Sequence, residues 1–126
     1  MSKFARSGLA LVAVTLFAGA AHADEVNIYT TREPGLIQPL LDSFKSSTGI
    51  TVNTVFLKDG LAERVASEGA NSPADILMTV DAGNLVDLVD KGLTQPVDSK
   101  VLKEAVPEQL RDAKDNWFAL SMRARV

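Results

Sequence analysis

From residue 24 onward, apolar and polar positions alternate between two spacings, one suited to strands and one to helices. Val26-Asn27-Ile28-Tyr29 alternates and is rich in β-formers, which predicts a short strand. Residues 30–35 break the pattern, punctuated by Pro34 and Gly35. Leu36, Ile37, Leu40, Leu41 and Phe44 then recur at helical spacing and define one apolar face. Pro39 stands inside that pattern but close to the first turn, where a missing N–H matters least. Gly49 suits a left-handed helix end.

Residues 50–56, dense in Val, Thr and Ile, predict a second strand, and residues 61–67 a short helix with Leu61 and Val65 on one side. Residues 69–73 form a turn. Asp75 precedes the apolar run Ile76-Leu77-Met78-Thr79-Val80, a pattern that suits an interior strand of a parallel sheet. Asp81 can cap the next helix, whose apolar face is Leu85, Val86, Leu88 and Val89, and Gly92 ends it. Residues 93–97 are extended. Residues 99–105 can form a helix contributing Val101 and Leu102, residues 107–116 read as a polar loop, and Trp117 to Leu120 are apolar again. Strand and helix thus alternate three times, which predicts an α/β domain with a mainly parallel sheet flanked by helices. Ligands in such sheets sit at the carboxyl ends of the strands. Residues 30–35 and 79–83 occupy that position.

The first 23 residues follow a different pattern. Lys3 and Arg6 precede an uncharged stretch, residues 7–21, rich in Ala, Leu and Val. Ala21-His22-Ala23 is a small-x-small cleavage signature, followed at once by Asp24-Glu25. This order describes a secretory signal peptide over residues 1–23. The apolar run is shorter than the roughly 20 residues a membrane span needs. Export to the periplasm is the expectation.

Composition then narrows the chemistry. Residues 24–126 carry 11 Lys and Arg against 16 Asp and Glu, a formal −5, and contain neither His nor Cys. Imidazole–thiolate zinc sites, Cys–His nucleophiles and Ser–His–Asp triads have no residues to be built from there. An acidic stretch without a basic run also argues against nucleic acid as a partner. Disulfides are excluded although an exported compartment permits them.

Several segments, read in order, resemble one family. They are Val26-Asn27-Ile28-Tyr29-Thr30-Thr31-Arg32, Ser46-Ser47-Thr48-Gly49-Ile50, and Glu68-Gly69-Ala70-Asn71-Ser72-Pro73-Ala74-Asp75. Thr79-Val80-Asp81-Ala82-Gly83, Gly92-Leu93-Thr94-Gln95-Pro96-Val97 and the run from Trp117 to Val126 complete the set. The resemblance is to the periplasmic ferric-iron-binding proteins of ABC transporters. It implies a type II periplasmic-binding-protein-like fold of two lobes joined by crossover strands, with iron in the cleft between them. Residues 24–126 would be the N-terminal lobe, the second lobe being missing from this chain. The family's principal ligands are tyrosines of the later part, an adjacent pair included, expected beyond Val126. Tyr29 is expected to be a packing residue. A hard Fe³⁺ ion favours anionic oxygen ligands and lowers the pKa of a coordinating phenol. Many members add a synergistic anion such as carbonate. The resemblance further implies a binding protein rather than an enzyme, monomeric when full length, that hands ferric ion to an inner-membrane permease.

Carried onto this chain, the resemblance makes Arg123 the cleft-facing guanidinium that assists anion binding, while Arg125 reads as a surface residue. A planar five-donor fork suits carbonate better than an ammonium does. Arg32 lies where an anion could also meet a helix N-terminus. Glu33 stands where many relatives carry a histidine ligand, and Glu33-Pro34 replaces their His-Tyr. Glu33 is either a substitute carboxylate ligand or a first-turn acid. Val80 occupies the place of a second, glutamate ligand and cannot coordinate a metal. Asp81 beside it is expected to line the cleft, as a ligand candidate or an N-cap. Thr30 and Thr31 could line the cleft through their hydroxyls or serve the turn. Two other functions remain open: an oxyanion or organic-acid binder of the same fold, and an exported enzyme, for which no motif joins the available carboxylates, lysines and hydroxyls. A one-lobed chain is expected to bind Fe³⁺ poorly alone and to leave apolar surface uncovered.

Overall fold

The structure, a computed structural model, describes residues 24–122. Residues 1–23, expected to be a signal peptide, and Arg123 and Arg125 lie outside the described residues. Strand β1 (Glu25–Thr30) is central, with β2 (Thr51–Phe56) on one side and β3 (Ile76–Met78) on the other. Both pairings are parallel, running from Glu25↔Thr51 to Thr30↔Phe56 and from Ile28↔Ile76 to Thr30↔Met78. Four helices follow or join these strands: α1 (Pro34–Thr48), α2 (Leu61–Glu68), α3 (Ala82–Asp90) and α4 (Lys100–Ala105). None of the helices among the described residues is long and apolar enough to cross a membrane.

Strand alternation explains why helices cover both faces. Successive side chains of β1 point to opposite sides. Ile28 packs with Ile37 and Leu41 of α1, flanked by Val26, Val52 and Met78. Tyr29 packs on the other face with Leu61, Ala62 and Val65 of α2 and Leu88 of α3. The expected α/β architecture with a parallel sheet is therefore what forms.

Tyr29 is a packing residue with a satisfied hydroxyl. It donates to Glu68 Oε1 at 3.0 Å, and Arg64 lies 5.0 Å from its ring centroid. Arg64 Nε and Ser72 Oγ donate to the same carboxylate at 2.9 and 2.7 Å. The Ser72 bond first, then Arg64, holds the Glu68 carboxyl below its ordinary value of 4.5. Because the folded pKa is depressed, this stabilisation is present above the unfolded value and lost as pH falls through the folded one. Thermal melts below about pH 4.5 should therefore show the melting temperature falling with pH. Glu68→Gln should flatten that part of the profile, and an unchanged slope would contradict the arrangement.

Helix α1 starts with Pro34 in its first turn and stops at Gly49, which has φ 76° and donates to Lys45 O at 2.8 Å. That left-handed conformation disfavours any side chain. Gly49→Ala should cost about 1 kcal/mol, read as a lower urea midpoint.

Three expectations need correction. The apolar run 76–80 was expected to be interior, yet only Ile76–Met78 forms a strand, paired with β1 alone at the edge of the described sheet. An unbroken apolar run reports that both faces are apolar; it does not report whether both edges are paired. The ladder ends there because Val80 N donates to Thr31 Oγ1 and Thr79 Oγ1 donates to Asp81 O, turning the chain toward α3. The apolar face of α1 is also narrower than its periodicity suggests. Ile37 and Leu41 are buried, whereas Leu36 and Leu40 are 68% and 62% exposed. In α4, Val101 is 73% exposed, and the apolar anchor at this point is Val106, just past the helix.

Candidate functional site

Parallel strands bring all their carboxyl ends to one edge of the sheet. Three loops meet there: residues 31–33 after β1, 57–60 after β2, and 79–81 after β3. Leu57 N donates to Thr30 O at 2.8 Å and Thr31 N to Met78 O at 3.0 Å, so the loops leave the sheet side by side. They open on a cavity of about 160 Å³. Thr31, Thr79 and Asn84 line it with Lys58, Asp59 and Gly60, and the starts of α2 and α3 add Glu63 and Asp87.

The expected site residues separate into distinct roles. Thr30 is fully buried, and its Oγ1 accepts from Arg32 N at 2.9 Å. It therefore braces the turn and does not line a cleft. Thr31 does line the cavity, and its Oγ1, accepting from Val80 N at 3.2 Å, ties the first loop to the third. Arg32 is half-buried and makes no ion pair among the described residues. Glu33 is exposed at the N-cap of α1, where its backbone carbonyl accepts from Leu36 N and its side chain makes no capping bond. Val80 is exposed beside them.

Asp81 is the N-cap of α3. Its Oδ1 accepts from Asn84 N at 2.9 Å and its Oδ2 from Asn84 Nδ2 at 2.8 Å. Of its two readings, the structure supplies the cap. Asp81→Ala should lower stability by about 1 kcal/mol in urea unfolding, with Asp81→Ser recovering most of the loss.

The loop 57–60 was not singled out from the sequence, although it satisfies the same strand-end rule. Its signal was present in Lys58-Asp59-Gly60 between a strand and a helix. Gly60, at φ 76°, takes the left-handed turn that starts α2. Glu63 and Asp87 are joined across the cavity wall by Lys91, at 3.4 and 2.7 Å. The bond to Asp87 raises Lys91 above its ordinary value, while a backbone N–H and then Lys91 lower Glu63. Among the described residues no three His, Cys, Asp or Glu side chains are gathered to hold a metal ion. What the strand ends offer is an open polar surface of hydroxyl, amide, carboxylate and ammonium groups, suited to holding a polar solute.

A parallel sheet covered on both faces, with its strand-end loops opening on a polar cavity, matches a known family. The profile of the bacterial extracellular solute-binding proteins aligns with residues 28–123. The chain belongs to that family. Among curated relatives, this chain is 46% identical over 103 residues to iron uptake protein A1 of Synechocystis, covering 81% of itself and 29% of that protein. Among solved structures it superposes on a Bordetella ferric binding protein with a TM-score of 0.75 and 63% identity, covering 78% of this chain and 31% of that one. A Trichodesmium protein solved in complex with iron and citrate gives a TM-score of 0.70 and 44% identity, over 75% of this chain and 30% of that one. The chain thus spans about a third or less of the length of these relatives.

Proposed function

We propose that this chain forms one wall of a ferric-iron site in the periplasmic binding component of an ABC importer, which captures Fe³⁺ and delivers it to an inner-membrane permease. The observation that carries this reading is the convergence of three strand-end loops on one polar cavity, in a lobe 63% identical to a ferric binding protein. The protein acts by binding and release, without turnover, as a monomer exported by a signal peptide over residues 1–23.

The chain's own donors set its part in the work. Its sole tyrosine is buried and bonded to Glu68, so it cannot serve as a phenolate ligand without dismantling the core. Phenolate ligands therefore come from outside residues 24–122. Arg32, and Arg123 beyond the described residues, hold a synergistic anion such as carbonate, for which a guanidinium fork is the matching donor. Glu33, exposed and not engaged in capping, is the available carboxylate ligand. Thr31 orients the first loop against the third.

Paramagnetic broadening locates weak iron binding directly. Ferric nitrilotriacetate, titrated in the presence of bicarbonate, should broaden amide resonances of residues 31–33, 57–60 and 79–84 before others. Broadening centred elsewhere, or none at millimolar iron, would overturn the reading.

A further inference from the structure

The loop between β2 and α2 carries the one aspartate of the sequence that is followed by glycine, Asp59-Gly60. Such a pair sets a side-chain carboxyl beside a backbone amide that no Cβ substituent screens. Both residues are exposed and line the cavity. Gly60 has φ 76°, and a Cβ built on it would meet nothing nearer than Glu63 Oε2 at 4.0 Å. Among the described residues Gly60 N donates no hydrogen bond, and the Asp59 carboxylate accepts none and makes no ion pair.

Other aspartates are held in place. Asp75 accepts from Asn27 N and Asp81 from Asn84 N, Asp87 pairs with Lys91, and Asp98 and Asp115 share Lys103. Asp90 is exposed at the end of α3, but the amide that follows it, Lys91 N, donates to Asp87 O at 3.0 Å. Asp59 combines an unengaged carboxylate with an unengaged and unscreened amide next to it.

We propose that Asp59-Gly60 is a site of spontaneous isoaspartate formation, a self-modification that rebuilds the cavity wall. This chemistry depends neither on the ferric reading nor on which solute the cavity takes. Gly60 N attacks Cγ of the protonated Asp59 carboxyl. The N–Cγ bond forms, the amide proton and the carboxyl OH leave as water, and a cyclic succinimide results. Water then adds at the backbone carbonyl carbon of Asp59 and breaks its bond to Gly60 N. The chain now runs through Cβ and Cγ, and the former backbone carbonyl has become a carboxylate. One water leaves and one enters, so the mass is unchanged and no oxidant or cofactor is needed. The new backbone is one methylene longer, between flanks that are fixed. Leu57 N donates to Thr30 O at 2.8 Å, Leu61 is buried in the core, and Gly60 O accepts from Arg64 N at 3.0 Å. The added length is therefore taken up at residues 58–60, in the cavity wall, and displaces the Lys58 and Asp59 side chains.

The test incubates the purified protein at neutral pH and physiological temperature beside a synthetic peptide of residues 57–64. Peptide mapping with electron-transfer fragmentation separates aspartate from isoaspartate at equal mass. Isoaspartate should accumulate at position 59 ahead of every other aspartate, in the folded protein as in the peptide. Asp59→Glu should abolish it, because the ring would then need a sixth member and closes far more slowly. Asp59→Asn should give the same isoaspartate faster, with release of ammonia. Amide shifts of the aged protein should change at residues 57–60 and at Thr79 and Asn84, which line the same cavity, and stay fixed on α4. Spectra that retain their dispersion establish that the aged protein and both variants are folded. Conversion of the peptide with none at position 59 of the folded protein would overturn the proposal. So would isoaspartate arising first at another aspartate, or a modified protein whose cavity shifts are unaltered.

Discussion

Tyr29→Ala should lower the stability of the protein by about 3–5 kcal/mol, the range for truncating a buried aromatic side chain. Tyr29 is 2% exposed and lies at the centre of the face where α2 and α3 meet the sheet. Truncation removes the ring from contact with Leu61, Ala62, Val65 and Leu88 and leaves Arg64 without the aromatic face 5.0 Å away. It also takes one donor from Glu68, although Arg64 and Ser72 remain bonded to that carboxylate. Domains are commonly stable by only about 5–15 kcal/mol, so this single change approaches the whole margin. Tyr29→Phe separates the two contributions: it keeps the ring and loses the hydroxyl, at a cost of about 1 kcal/mol. Urea midpoints for the pair decide the matter. Equal losses would mean that the hydroxyl network, and not the packing, dominates.

Leu88→Ala should cost about 2–5 kcal/mol by the same cavity argument. Leu88 is 1% exposed, packs against Tyr29 and the α2 side chains, and its carbonyl accepts from Leu93 N where the chain leaves α3. Val86, two residues earlier on the same helix, is exposed. Val86→Ala should change stability by less than about 0.5 kcal/mol, as surface substitutions usually do. The contrast between the two positions tests which side of α3 faces the core. Similar losses at both would show that the helix is rotated from the arrangement described.

The sequence disclosed faces better than neighbours. The alternation at Val26 to Tyr29 places Ile28 and Tyr29 on opposite sides of β1, and both sides proved to be covered. Gly49 and Asp81 were legible because the ends of helices have local chemistry: a left-handed φ in one case, a side-chain acceptor for a free N–H in the other. Leu36 and Leu40 illustrate the limit. Their spacing places them on an apolar stripe of α1, but burial depends on what packs against that stripe, and periodicity carries no record of it. The run from Ile76 to Val80 misled for the same reason, since pairing at a strand's edge is a backbone matter that side-chain patterning does not encode.

The site was partly legible. Two of its three loops follow from reading strands and helices in order, and Thr31 and Arg32 fall in the first. Thr30 looked equivalent to Thr31 as a hydroxyl donor, yet strand alternation buries one and turns the other toward the cavity. Lys58 and Asp59 escaped notice because Lys-Asp-Gly reads as turn punctuation until the sheet sets it beside the loop after β1. Lys91 pairs with Asp87 at the i,i+4 spacing a helix makes legible, but its contact with Glu63 on α2 joins distant parts of the chain and has no sequence pattern.

The central claim is that this lobe supplies one wall of a ferric site whose phenolate ligands come from elsewhere. The most direct measurement joins residues 24–126 to the unmatched remainder of the Bordetella ferric binding protein and titrates ferric ion with bicarbonate, following visible absorbance. A phenolate-to-iron charge-transfer band that saturates at one iron per protein, and is absent from residues 24–126 alone, is the predicted result. A folded chimera that takes up no iron, or an equally intense band from residues 24–126 alone, would contradict it.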